Sequence, residues 1–160
     1  MEIKGWKYDF ESLPSWGDRY FALDDVLYEN AQQDIAVLLY SICEVRMCYY
    51  VGNLAILKNK QKPELILNAK VKAFTNTKIM FSEGGSLAFV QSSHWSEGWP
   101  IFIFNFSNRT FSCVDRVSKN MNFTIRELEE NVFLIDEARI EINQLEWLDF
   151  EEVDAFILAK

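Results

Sequence analysis

The chain has a single histidine, His94, and only three cysteines, Cys43, Cys48 and Cys113, in 160 residues. No cysteine stands in a C-x-x-C pair or at zinc-finger spacing, so neither a metal site nor a disulfide framework is expected. The cysteines lie in apolar surroundings (Ile42-Cys43, Met47-Cys48-Tyr49, Cys113-Val114) and read as buried free thiols. The first ten residues lack a basic n-region and an apolar h-region, and no apolar run approaches the ~20 residues that span a bilayer. A reducing, cytoplasmic setting without a membrane is therefore expected. The phosphate-cradling pattern G-x-x-x-x-G-K-[ST] and the nucleophile elbow G-x-S-x-G are missing too. Positive charge is scarce: 16 Lys and Arg face 24 Asp and Glu, for a net charge of −8. That balance repels nucleic-acid backbones and makes a cationic protein the natural complement.

What is present is apolar and aromatic. Hydrophobic residues make up 49% of the chain and aromatics 15%, with 13 Phe, 6 Tyr and 5 Trp. This composition supports a packed core and leans toward strands. The length fits one domain over residues 1–160: a turn-rich N-terminal segment, 1–34, packed on a β core, 35–148, with an acidic C-terminal segment, 149–160. Asp24-Asp25 predicts the cap of a short helix through Tyr28. Gly52-Asn53, between two apolar runs, predicts a hairpin reversal. Further hairpins are predicted across Ser82-Glu83-Gly84-Gly85-Ser86, Ser107-Asn108-Arg109 and Glu129-Glu130-Asn131, followed by a half-buried strand Arg139-Ile140-Glu141-Ile142. The residues after Leu145 read as a strand and a short helix. Apolar segments opening near Val37, Ile79 and Phe123 recur every 40 to 45 residues or so, the spacing of propeller blades, but the chain is too short to close a propeller. The expected fold is mainly β: a twisted antiparallel meander or β-sandwich with propeller-blade-like hairpins and little helix.

Candidate chemistry is sparse. Ser93-His94 adjacency does not make a triad, whose members converge in space from separate elements. Carboxylates are plentiful, yet most belong to solvated surface in an acidic chain, so no catalytic residue, metal or cofactor is expected. The connection around Trp95, Glu97 and Trp99 combines two aromatic anchors with a carboxylate, a composition favoured at protein interfaces. The basic stretch with Arg46, Lys58, Lys60, Lys62, Lys70, Lys72 and Lys78 offers an RNA contact that the overall charge opposes, and reads as edge-strand protection against aggregation. Residues 127–160 then carry eleven carboxylates against Arg139 and Lys160, threaded with apolar residues, and read as folded protein with an acidic surface.

In size, acidity, β content and lack of a catalytic motif, the whole chain resembles the small acidic immunity proteins that bacteria encode beside secreted or contact-dependent toxins. The resemblance implies an inhibitor that binds one cognate toxin domain, often a basic nuclease; a monomer is expected in the bound state, and the sequence does not set the oligomeric state otherwise. Carboxylates would stand in for nucleic-acid phosphates and aromatics would supply desolvated anchors. It nominates Glu129, Glu130, Asp149, Glu151, Glu152 and Asp154 for electrostatic docking, with Trp95, Glu97 and Trp99 as anchors. The alternatives are a non-catalytic ligand-binding or scaffold module, marked by a deep apolar pocket, and a small hydrolase using two converging carboxylates.

Overall fold

A computed structural model of the chain describes residues 2–13, 25–46, 49–75, 79–92, 99–118 and 123–160. The architecture is mainly β, built of open antiparallel sheets with, among the described residues, one short helix. No helix among the described residues is long and apolar enough to cross a membrane. The chain forms two compact units, Met1–Asn76 with Asp154–Ala159, and Thr77–Val153 with Lys160.

The first unit begins with the small hairpin β1 (Glu2–Ile3) and β2 (Trp6–Lys7) and a 3-10 turn at Phe10–Ser12. A meander follows: β3 (Val26–Asn30), β4 (Ile35–Arg46), β5 (Tyr49–Lys58) and β6 (Glu64–Thr75), in spatial order β3-β4-β5-β6. The helix predicted after Asp24-Asp25 is instead β3, paired with β4 from Val26↔Leu39 to Asn30↔Ile35. Its Val26-Leu27-Tyr28 run favours strand and gains a full ladder, which outweighs a local capping signal.

The reversal predicted at Gly52-Asn53 is likewise corrected. Both residues lie inside β5, and the β4–β5 connection falls between Arg46 and Tyr49, on residues outside those described. Gly52 serves close backbone approach: a Cβ there would stand 3.0 Å from the Tyr40 carbonyl oxygen and 3.0 Å from Ile42 Cγ1. Strand glycines commonly mark such bulged or crowded positions. The ladder shifts register on both sides, between Tyr40 and Cys43 on β4 and between Gly52 and Leu54 on β5.

Register assigns the faces of this sheet. Ala36, Leu38 and Tyr40 on β4 oppose Leu57, Ala55 and Asn53 on β5. These apolar residues pack with Trp6, Phe10, Leu13 and Leu27 as one buried cluster. The alternate residues Val37, Leu39, Leu54 and Ile56 are also fully buried. Burial on both faces explains why β4 reads as a continuous apolar run instead of an alternating one. Truncating such a residue, as in Leu38→Ala, costs about 2–5 kcal/mol.

The second unit holds β7 (Met80–Phe81), β8 (Leu87–Gln91), β9 (Trp99–Asn105), β10 (Thr110–Ser118), β11 (Ile125–Glu129), β12 (Val132–Ile135) and β13 (Ala138–Glu141). A 3-10 turn Ile142–Gln144, β14 (Leu148–Asp149) and a 3-10 turn Phe150–Glu152 complete it. The latter turn runs into the helix α1 (Val153–Leu158), whose residues from Asp154 belong to the first unit. One sheet has the order β14-β10-β9-β8-β7 and the other β11-β12-β13. Leu87, Phe89, Ile101 and Ile103 of the larger sheet form a single core with Phe133, Ile135 and Ile140 of the smaller one. Phe89 and Phe133 meet with ring centroids 5.1 Å apart. The other face of the larger sheet carries an aromatic stack, in which Phe104 lies 6.4 Å from Phe111 and 6.0 Å from Phe150. The hairpins expected across Ser82 to Ser86, Ser107 to Arg109 and Glu129 to Asn131 all form, as do the strand and helix expected near the C-terminus.

Candidate functional site

Charge is distributed very unevenly. Residues 123–160 contain eleven of the 24 carboxylates and three of the 16 basic residues. Thirteen of each sign remain in residues 1–122, so the net charge of −8 resides entirely in the last 38 residues. The structure divides these carboxylates into those that hold the fold and those that do not.

The three-stranded meander carries the first group of acids. Its two turns are built by positive-φ residues, Asn131 at 61° and Asp136 at 51°. Asp136 ties the second turn to the start of β11: it accepts the Thr124 N–H on Oδ1 at 2.9 Å and donates its own N–H to the Thr124 carbonyl at 2.9 Å. On the outer face, Arg139 contacts Glu129 at 3.2 Å and Glu141 at 3.6 Å. Glu129 is thus partly neutralised within the sheet, although its side chain is 64% exposed and the pair contributes little to stability. β11 is an edge strand exposed over its last four residues, with a register shift between Glu127 and Glu129 and Leu128 41% exposed.

The second group surrounds the start of α1. Asp149 and Glu152 form a reciprocal capping box: the Asp149 side chain accepts the Glu152 N–H, and the Asp149 N–H donates to Glu152 Oε2 at 3.0 Å. The D-x-x-E spacing in the sequence carries this signal. Asp154 accepts the backbone N–H of Lys70 on Oδ1 at 2.9 Å. Between the pairs Leu54↔Ala69 and Gly52↔Phe74, β6 has more residues than β5, so residues 70–73 bulge from the ladder. Asp154 thus satisfies a donor at the start of that bulge.

Of the nominated docking acids, then, Glu129, Asp149, Glu152 and Asp154 have partners within the protein. Glu130, in the β11–β12 turn, and Glu151, in the 3-10 turn, are exposed, and their side chains make no hydrogen bond or ion pair among the described residues. Glu127, Glu137 and Glu146 share that condition and were not singled out by sequence reasoning. Their lack of partners becomes visible only once Arg139, Thr124 and Lys70 are placed. Trp95 and Glu97, with His94, lie outside the described residues. Trp99 opens β9, half-buried and paired in register with Ser118.

Among the described residues one free thiol is placed, that of Cys113. Burial, with the Asp115 carboxylate adding to it and Lys160 opposing it, pushes the Cys113 thiol up to about 12. It is protonated at neutral pH and a poor nucleophile. No group of three or more His, Cys, Asp or Glu side chains among the described residues is placed to hold a metal ion. Comparison with known proteins returns nothing: no family model, no curated protein and no solved structure matches the chain.

Proposed function

We propose that the protein is an immunity-type inhibitor that docks a cationic protein, of the kind represented by a basic toxin domain, through the acidic end of its chain. The observation that carries the reading is the confinement of the whole net charge to residues 123–160, with Glu127, Glu130, Glu137, Glu146 and Glu151 left exposed and uncompensated. Carboxylates already bound to internal donors are constrained by the fold. Those without partners are free to make charge-assisted hydrogen bonds to incoming Lys and Arg, and the asymmetric field accelerates encounter. The docking set becomes Glu127, Glu130, Glu137, Glu146 and Glu151, and Glu129 takes part by exchanging Arg139 for a partner cation. Action in the cytoplasm, against a toxin that would otherwise engage nucleic acid, belongs to the same proposal.

The test is a paired capture from native-host lysate using the wild-type protein and a Glu127→Lys/Glu130→Lys/Glu137→Lys variant, with the captured protein identified. Co-expression with the product of the adjacent gene then asks whether growth is protected. The expected result is one basic protein, retained stoichiometrically by the wild type, lost with the variant, and toxic unless the wild-type chain is present. Equal capture by both proteins, or a captured protein of acidic or neutral character, contradicts the reading.

A further inference from the structure

In the first unit, four buried side-chain atoms have no partner among the described residues: Trp6 Nε1, Ser41 Oγ, and both Nδ2 and Oδ1 of Asn53. Trp6 and Asn53 are 0% exposed and Ser41 is 3% exposed. Asn53 is opposite Tyr40 in register, which places it on the sheet face that carries Tyr40, Ala55 and Leu57. Trp6 belongs to the cluster covering that same face. The neighbouring polar groups do not help Asn53, because the Tyr40 hydroxyl donates to Asn68 Oδ1. Ser41 lies one residue along β4, at the same register irregularity.

Pairing of Asn53 with Tyr40, and of its neighbours Gly52 and Leu54 with Phe74 and Ala69, sets the face that Asn53 takes. The Gly52 backbone is crowded against Tyr40 and Ile42. Ser41 is held at a φ of 51°, and the ladder is pinned on both sides of the bulge. A carboxamide fixed in a core with neither its donor nor its acceptor used is strongly disfavoured, and buried polar groups in native proteins are satisfied in the great majority of cases. The group that satisfies both ends at once must donate to Oδ1 and accept from Nδ2. It must also be small enough for a packed aromatic and aliphatic layer and be uncharged, since an ion enclosed in an apolar layer costs far more than a neutral group; the nearby Asp25 carboxylate accepts the Ser41 N–H at 3.3 Å. Water meets all of these conditions, and internal waters typically make about three hydrogen bonds.

We propose that Asn53 is the anchor of an internal water site within the first unit, with Asn53 Oδ1 accepting from the water, Asn53 Nδ2 donating to it, and Trp6 Nε1 or Ser41 Oγ completing its shell. Bulges on either side of Asn53 provide the local widening that such a molecule needs. The site explains why an asparagine occupies a position whose neighbours along the same face, Ala55 and Leu57, are apolar.

Two measurements on the full chain decide it. The first is water–protein NOE spectroscopy, which should give a cross-peak of slow-exchange sign between water and the Asn53 side-chain amide. The second is deuteron relaxation dispersion, in which Asn53→Leu should lose one long-lived water relative to the wild type. Absence of the cross-peak overturns the proposal, as does an unchanged long-lived water count in a folded Asn53→Leu variant. If that variant does not fold, the cross-peak in the wild-type chain decides alone.

Discussion

The β11–β13 meander and the start of α1 are both acidic and differ in how many of their acids the fold engages: three of six in the meander, three of four around α1. Asp149, Glu152 and Asp154 are spent on a capping box and on a bulged backbone N–H, which leaves Glu151 alone without a partner. In the meander Glu129, Glu141 and Asp136 are engaged, while Glu127, Glu130 and Glu137 are exposed and their side chains have no partner among the described residues. Local acidity therefore does not identify a docking face. An acid next to an unsatisfied backbone donor is a structural element, whereas one on a turn whose donors are already met is available to a partner.

Substitutions can break this contrast, and their expected effects on stability fall in a definite order. Asp154→Ala should be the most costly, by about 2 kcal/mol, because it removes a charged acceptor and leaves the Lys70 N–H unsatisfied in the bulge. Chemical denaturation measures this, and an unchanged midpoint would show that the Lys70 bond does not matter. Asp149→Ala should cost about 1 kcal/mol through loss of the side-chain cap on the Glu152 N–H, with Glu152→Ala costing less because the Asp149 N–H it leaves is exposed and water replaces the bond. Arg139→Gln should lie within about 0.5 kcal/mol of wild type, as expected for an exposed ion pair. Glu130→Lys should be close to neutral for stability. For partner binding the order is reversed: Glu130→Lys should weaken it and Asp149→Ala should leave it unchanged. Parallel loss of binding in both would dissolve the distinction between the two regions.

Much of the second unit was legible in the sequence, because its strands are short and bounded by turn residues with clear chemistry. The run from Ile101 to Phe106 and the glycines at 84 and 85 gave correct hairpins. The first unit was harder to read. β4 and β5 are buried on both faces, which removes alternation, and Gly52 carries a bulge instead of a turn. Several reversals also use a non-glycine residue at positive φ, including Asp34, Asn59, Arg109 and Asp136. Asn and Asp tolerate that conformation but also occur widely elsewhere, so they punctuate a sequence less sharply than glycine. The acidic region was legible as a region. Its division into structural and free carboxylates was not, since Lys70 lies 84 residues from the Asp154 that binds it.

The most direct measurement is the association rate of the captured cationic protein, followed against salt concentration for the wild type, for Glu127→Lys/Glu130→Lys/Glu137→Lys, and for Asp149→Ala. The account predicts a steep fall with salt for the wild type and Asp149→Ala, and a rate at least about tenfold lower, with little salt dependence, for the triple reversal. Identical rates and salt slopes for all three proteins would contradict electrostatic docking through the meander.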